Sequence, residues 1–556
     1  MNILPEKLEN FLSRKTVHGT WAGTFYCKPE AIFQPRNIEE IKILVDEARM
    51  KRKTIVTVGS GHSPSDLTMT NEWLCNLDYY DKVLKQEEFY GPKKNGKGDE
   101  VKFVDLTVQS GCRIYQLNEY LKKHKLSIQN LGSISEQSIA GIISTGTHGS
   151  TLCHGLVSQQ VVSLEVMNAE GKVIKCSSLE NIELFKAALL SLGKIGIITQ
   201  VTLRTIPQYT IRSKTEIINF GTLLSEWDAI FLDSEFIRIW WFPYSEKCVC
   251  WRGSKTTDPI LLPQPSFYDT WFSRLLYESL LWVSVHLFSR LTPYIERFVF
   301  KQQYGSSETL GKGNVAVQHS VEALNMDCLF SQFVNEWSTP MVKGPEVLSK
   351  LHRLISQAAS ENKFYVHAPI EVRCSNTTNS DSPFVNDNNE LSLYPSSTWL
   401  SKRDRLSAGP IPGNNLRPYL DSSANLEYTG DDFSQVTNEQ LTLYINATMY
   451  RPFRTNVKVR EWYLCFETVM MNAQGKPHWA KNFIGLDEEK SDEHDTELQL
   501  SYGGKSDYLM KGFHSAFMDW YGDSLINFNK VRKSVDPYGM FLGNQKWMIR
   551  NGLLLP

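Results

Sequence analysis

The chain has 556 residues, 41% of them hydrophobic and 22% charged, and a formal net charge of −2. This length points to two or more domains rather than one small core. The composition is that of a globular protein, and the near-zero charge leaves no electrostatic footprint for nucleic acid. Ten scattered cysteines include no CxxC pair, which argues against a zinc ribbon or redox dithiol and suits a reducing compartment.

The N-terminus, MNILPEKLENFLSRKTVHGTW, lacks an apolar h-region, and its acidic residues argue against a transit peptide. Residues 38–52 pattern as an amphipathic helix with Ile41, Leu44, Val45 and Ala48 on one face. The β-branched run Thr54–Val58 predicts a buried strand that ends in Gly59-Ser60-Gly61, followed by His62, Ser63 and Pro64. Two glycines let the backbone turn sharply and approach a ligand, and successive N–H groups in such a turn suit phosphate oxygens. The dinucleotide fingerprint fails because its third glycine position holds Pro64, and no Gly-Lys-Ser/Thr follows to make a P-loop. Taken alone, a Gly-x-Gly-His reads better as an ordinary strand-to-loop turn.

Residues 91–99, GPKKNGKGD, read as a polar hairpin tip, 101–108 as a strand and 114–124 as a helix. The stretch 132–150, GSISEQSIAGIISTGTHGS, is too apolar for a linker and too glycine-rich for a core helix. Small residues there allow a flat ligand to lie on the backbone. Gly193–Leu203 is a glycine turn leading into a strand. Together these pieces form one long cofactor groove within the first two hundred residues.

Pro207 marks a plausible boundary. Beyond it, 236–241 and 444–448 read as strands, and Cys248-Val249-Cys250 as a strand with both thiols packed on one face. Residues 275–288, LLYESLLWVSVHLF, are too short to span a bilayer and carry Glu278. They fit either a buried helix or one lying in a membrane interface. Residues 375–435 are rich in Ser, Asn, Asp and Pro and read as long loops. The sequons at Asn376 and Asn446 are chance matches. Nothing in the sequence specifies an oligomeric state.

The motifs GSGHSPSD (59–66), SIAGIISTGTHGS (138–150) and LGKIGIITQVTLR (192–204), in this order, resemble the flavin domain of the vanillyl-alcohol-oxidase-type flavoproteins. Glu371-Val372-Arg373, His478-Trp479-Ala480-Lys481 and the C-terminal DPYGMFLGN (536–544) are similar to the aldonolactone oxidase branch. The resemblance runs from Trp21 to Trp547. It implies an α+β fold: a PCMH-type, two-subdomain FAD-binding domain (1–207), a cap or substrate domain with a large antiparallel sheet flanked by helices (208–480), and a C-terminal segment returning to the FAD domain (481–556).

The activity implied is FAD-dependent oxidation of an aldono-1,4-lactone, with hydride passing to flavin N5 and O2 reduced to H2O2. D-arabinono-1,4-lactone is the expected substrate, and L-gulono-1,4-lactone, L-galactono-1,4-lactone or an alditol are the alternatives. By resemblance FAD is bonded covalently to His62. The cofactor would also meet Val58, Gly59, Ser60, Gly61, Ser63 and Pro64. From the second motif it would meet Gly132, Ser133, Ser138, Gly141, Ser144 and Thr145, then Thr147, His148 and Gly149. Gly196, Ile197 and Lys481 complete that set. Glu371, Arg373 and Lys481 are the catalytic candidates, and Ser138 and His478 the substrate-binding ones. A carboxylate can receive sugar hydroxyls, a guanidinium can stabilise an alkoxide, and a lysine can polarise the reacting hydroxyl.

Without the resemblance, Glu-x-Arg reads as a cross-strand ion pair, His-Trp-x-Lys as a turn with a buried Trp, Ser138 as a small packed residue, and His148 and His154 as structural. Family likeness also implies membrane association through 275–288 and a mitochondrial outer membrane location facing the cytosol. Two other classes compete. A metal-dependent hydrolase using His62, His148 and His154 lacks HxxxH or HxxEH spacing, so no metal is expected. A non-catalytic, membrane-associated binding protein predicts no flavin.

Overall fold

The computed structural model describes residues 5–90, 102–326, 328–376, 380, 382–398, 412–426, 436–485, 513, 516–543 and 545–554. The 91–99 loop and much of 375–435 therefore lie outside the described residues, as does Asn544. Besides the hairpin His18–Gly19/Tyr26–Cys27, the N-terminal part holds two larger sheets. The smaller is parallel, with Trp73–Asn76 between Ala31–Phe33 and Ile55–Val58. Helix Ile38–Lys51 connects the outer two strands. Asn37 caps it by accepting the Glu40 N–H at 2.9 Å, and Ile41, Leu44, Val45 and Ala48 are fully buried beneath it, as the periodicity requires.

The second sheet is antiparallel, in the order Val173–Ser177, Val161–Met167, Ile197–Pro207, Lys102–Gln109, Val83–Tyr90, with Leu126–Ser127 paired to the end of Ile197–Pro207. Helices Ile114–Lys123 and Ile139–Ser144 accompany it. After Pro207 the chain enters a different sheet at Thr210–Asn219.

That third sheet has eight antiparallel strands in the order Asn314–His319, Thr210–Asn219, Lys247–Thr256, Phe236–Phe242, Ile370–Asn376, Leu441–Tyr450, Gln332–Pro340, Lys476–Pro477. Its middle strands are buried on both faces, so they carry no simple alternation. Helices Gly344–Ser360 and Arg460–Asn472 pack together beside it. The C-terminal helix Asp523–Val535 packs on Ile182–Ala188 of the first part. There the Asp536 carboxylate accepts the Met540 and Phe541 N–H groups, both at 2.8 Å. Met540 O in turn accepts from Ile55 N, and Lys194 Nζ donates to Leu542 O. The α+β class is that expected.

Candidate active site

Strand Ile55–Val58 delivers Gly59, Ser60, Gly61, His62 and Ser63 into a groove. Ser138, Gly141, Ser144 and Thr145 form its facing wall, and Leu192, Gly193 and Gly196 close its end. The glycines are there for space. A Cβ on Gly59 would lie 2.3 Å from Ser138 Oγ, and Gly61 sits at φ +71°, a conformation other residues adopt at a cost. Ser138 starts the short helix Ile139–Ser144, its Oγ accepting the Gly141 N–H at 3.3 Å.

A second cavity adjoins this groove, and His62 lines both. Its floor is a row set by strand register. Trp240 pairs with Glu371, Glu371 with Asn446, and Asn446 with Glu336, across four neighbouring strands. All four side chains border the cavity. Arg373, two residues beyond Glu371, shares its face, and the turn after Lys476–Pro477 adds His478 and Lys481.

Glu336 is the electrostatic centre. It is 1% exposed, and its carboxylate accepts from Arg373 Nη2, lies 3.2 Å from Lys481 Nζ and 3.2 Å from His148 Nε2. Burial alone would raise its pKa, but Arg373 and Lys481 outweigh burial and hold it well below the usual carboxylate range. In return, the two carboxylates Glu336 and Glu371 raise Arg373 against its own desolvation. Glu371 Oε2 lies 3.4 Å from Arg373 Nε and 3.4 Å from Asn446 Nδ2. Its Oε1 is buried with no hydrogen-bond partner among the described residues. Burial pushes His478 down to about 3 and His62 down to about 4, so both rings are neutral near pH 7. His148 stacks on Tyr444 at 3.6 Å, with Nδ1 2.8 Å from Gly149 O.

His148, Glu336 and His478 bring potential metal ligands within 4.8 Å of one another. Two cationic side chains already sit on that carboxylate, so a metal ion there would meet like charge.

The expected residues divide between the two spaces. Gly132, Ser133, Thr147, His148, Glu371 and Arg373 line the cavity, with His478 and Lys481, whereas Ser138 lines the groove alone. Three expected cofactor residues face neither space. Pro64 O accepts from Thr24 Oγ1 and Asn482 Nδ2, Gly149 packs against Asn130, and Ile197 joins a core with Met540 and Phe541. Glu336, Asn446 and Trp240 were not anticipated. The only trace of Glu336 in the sequence is a lone acid inside the strand QFVNEWSTP.

Residues 201–551 match the family described as D-arabinono-1,4-lactone oxidase, and residues 29–177 match the FAD binding domain. The D-arabinono-1,4-lactone oxidase of Debaryomyces hansenii is 66% identical, over 99% of each chain. Those of Candida albicans and Saccharomyces cerevisiae are 63% and 47% identical, over 100% and 97% of this chain and the same shares of theirs. This chain belongs to the D-arabinono-1,4-lactone oxidase family.

Among solved structures, a solvent-stable cholesterol oxidase superposes with a TM-score of 0.70 at 14% identity, covering 97% of this chain and 98% of its own. Cholesterol oxidase from B. sterolicum gives 0.67 at 14%, covering 99% of each. The fold is thus the PCMH-type FAD-binding fold with its cap. The groove suits FAD on its own features. Its glycine bed admits a ligand where Cβ atoms would intrude, and the buried Nδ1 of His62 has no hydrogen-bond partner among the described residues.

Proposed function

We propose that this family member oxidises D-arabinono-1,4-lactone with FAD, passing the electrons to O2 and forming H2O2. The observation that carries the reading is the row Trp240–Glu371–Asn446–Glu336, with Arg373 and Lys481, opening on the cavity that shares His62 with the groove. FAD held in the groove supplies the acceptor for two electrons and the carbon-bound hydrogen. Everything else falls to side chains.

Two carboxylates and two cations leave the cavity formally balanced, which suits an uncharged polyhydroxy lactone better than an acid or a phosphate. The unpartnered Glu371 Oε1 receives a substrate hydroxyl. Arg373 and Lys481 offer donors to the reacting oxygen and stabilise it as its proton leaves. Glu336 keeps both cations in place. Trp240 gives the sugar ring an apolar wall.

His62 is proposed as the covalent anchor of FAD. It lies where groove and cavity meet and is neutral, so a ring nitrogen keeps its lone pair. Helix Trp271–His286 supports attachment to a membrane interface. It buries Tyr277, Leu281 and Ser284 but exposes Trp271 by 75%, and Phe288 just beyond it by 62%. No helix among the described residues is long and apolar enough to cross a membrane.

The test is H2O2 release from D-arabinono-, L-galactono- and L-gulono-1,4-lactone and from xylitol, with a denaturing gel viewed for flavin fluorescence. The reading expects the arabinono-lactone to give the highest kcat/KM and the protein band to fluoresce. No turnover of any lactone would remove the activity, and a dark band the covalent link.

A further inference from the structure

The N-terminal hairpin pairs His18–Gly19 with Tyr26–Cys27, joined by residues 20–25. It packs on the loop that carries His62. Trp21 N–H donates to Gly61 O at 2.7 Å, and Thr24 Oγ1 donates to Pro64 O at 2.5 Å. Gly19 O lies so close that a Cβ on Gly61 would come within 3.0 Å of it. The far side of the turn is tied to the cap. Ala22 O accepts from Ser331 Oγ at 2.6 Å and from Arg451 Nη1. Between these ties the Trp21 indole stacks on the His62 imidazole, with centroids 5.5 Å apart and planes 19° from parallel. The His62 Nδ1 is buried without a hydrogen-bond partner among the described residues. The indole face, rather than a hydrogen bond at that nitrogen, sets the plane of the ring.

We propose that Trp21 is a positioning residue for flavin attachment: it holds the His62 imidazole in the plane from which a ring nitrogen meets the flavin. The proposal rests on the reading of His62 as the covalent anchor. Attachment joins an imidazole nitrogen to the 8α-methyl carbon. One C–H bond of that methyl and the imidazole N–H are lost, releasing two protons and two electrons, and O2 takes these up as H2O2. The reaction demands a fixed approach of one ring to a second, and a ring free to rotate about χ2 would reach that geometry less often. The stack restricts that rotation without occupying the nitrogen. The cap ties at Ala22 mean that the clamp is complete only once both parts of the chain have docked.

The test compares the intact protein with Trp21→Leu, Trp21→Phe and His62→Ala, each incubated with added FAD. Total bound flavin is read from visible absorbance, and covalent flavin from fluorescence of the denatured band and from the share not released by acid. The expected result is that Trp21→Leu binds FAD as the parent does but attaches it roughly tenfold more slowly, Trp21→Phe stays near the parental rate, and His62→Ala attaches none. Attachment at the parental rate in Trp21→Leu would overturn the proposal. So would loss of total FAD in Trp21→Leu and Trp21→Phe alike, since that would make Trp21 a structural residue only. Complete release of flavin by acid from the parent protein would instead remove the His62 anchor itself, an outcome visible without any variant.

Discussion

Glu336 is the residue on which the site's charges turn. Taking one partner from a buried, hydrogen-bonded ion cluster typically costs about 3–5 kcal/mol, because the remaining charges are left without a counter-ion. Replacing Glu336 with Gln keeps the shape and removes the charge. The expected outcome is a fall in kcat/KM for the lactone of about 10²-fold or more, because Arg373 and Lys481 lose the carboxylate that holds them. An unchanged kcat/KM would show that Glu336 only fills space. The sign of its effect on stability follows from the same direction. A carboxylate held below its unfolded value stabilises the fold at pH above that unfolded value, and the contribution is lost as pH falls through the folded value. Glu336→Gln should therefore flatten the acid side of the unfolding curve. Glu371, Arg373, His478 and Lys481 could be anticipated because each sits in a short motif with neighbours that mark it. Glu336 could not, since its partners Arg373, Lys481 and His148 lie 37, 145 and 188 positions away in sequence, and only the fold brings them together.

At the scale of elements, local chemistry carried most of the reading. The helix at 38–52, the strand before Gly59 and the strands at 236–241 and 444–448 all stand where periodicity and β-branching placed them. What sequence could not give was the pairing order of the eight-stranded sheet, whose central strands are buried on both faces and so lack an alternating signature. The same blindness covered the N-terminal hairpin, where two-residue strands leave no pattern.

One tie between elements is testable by pH. Glu467, fully buried on helix Arg460–Asn472, accepts from Asn335 Nδ2 at 2.6 Å, Ile484 N at 2.7 Å and Gly485 N at 2.9 Å. It thereby fastens the segment after Lys481 to the helix and the sheet. Burial raises it to about 7, in spite of these donors. An acid raised on folding contributes stability that is complete below its unfolded value and is lost as pH rises through the folded one. The thermal midpoint should thus decline between about pH 4.5 and 7, and Glu467→Gln should remove part of that slope in a melting series. An unchanged slope would place the titration elsewhere.

For the whole molecule, the arrangement is a cofactor groove on one side, a sheet-floored cavity on the other, and His62 between them. The resemblance in the sequence reached this general plan because its motifs are local, while the division of labour between the two spaces needed the structure. Ser138, expected at both cofactor and substrate, lines the groove and not the cavity. Trp271, Phe272, Leu275, Leu287 and Phe288 form an exposed apolar group on one helix and just beyond it. If it lies in a membrane interface, the protein should float with phosphatidylcholine vesicles, and Trp271→Ser with Phe272→Ser should weaken binding by at least roughly tenfold without changing lactone turnover in solution. Equal flotation of the variant would assign the group to some other contact.

The proposed reaction requires lactone in the cavity to reach flavin in the adjoining groove. Its most direct measurement is the visible spectrum of the purified protein mixed with D-arabinono-1,4-lactone in the absence of oxygen. The blue absorption band of bound flavin should bleach within turnover time, fail to bleach in Arg373→Ala, and return with stoichiometric H2O2 when air is admitted. A flavin band that the lactone leaves unchanged, or a protein with no such band, would contradict it.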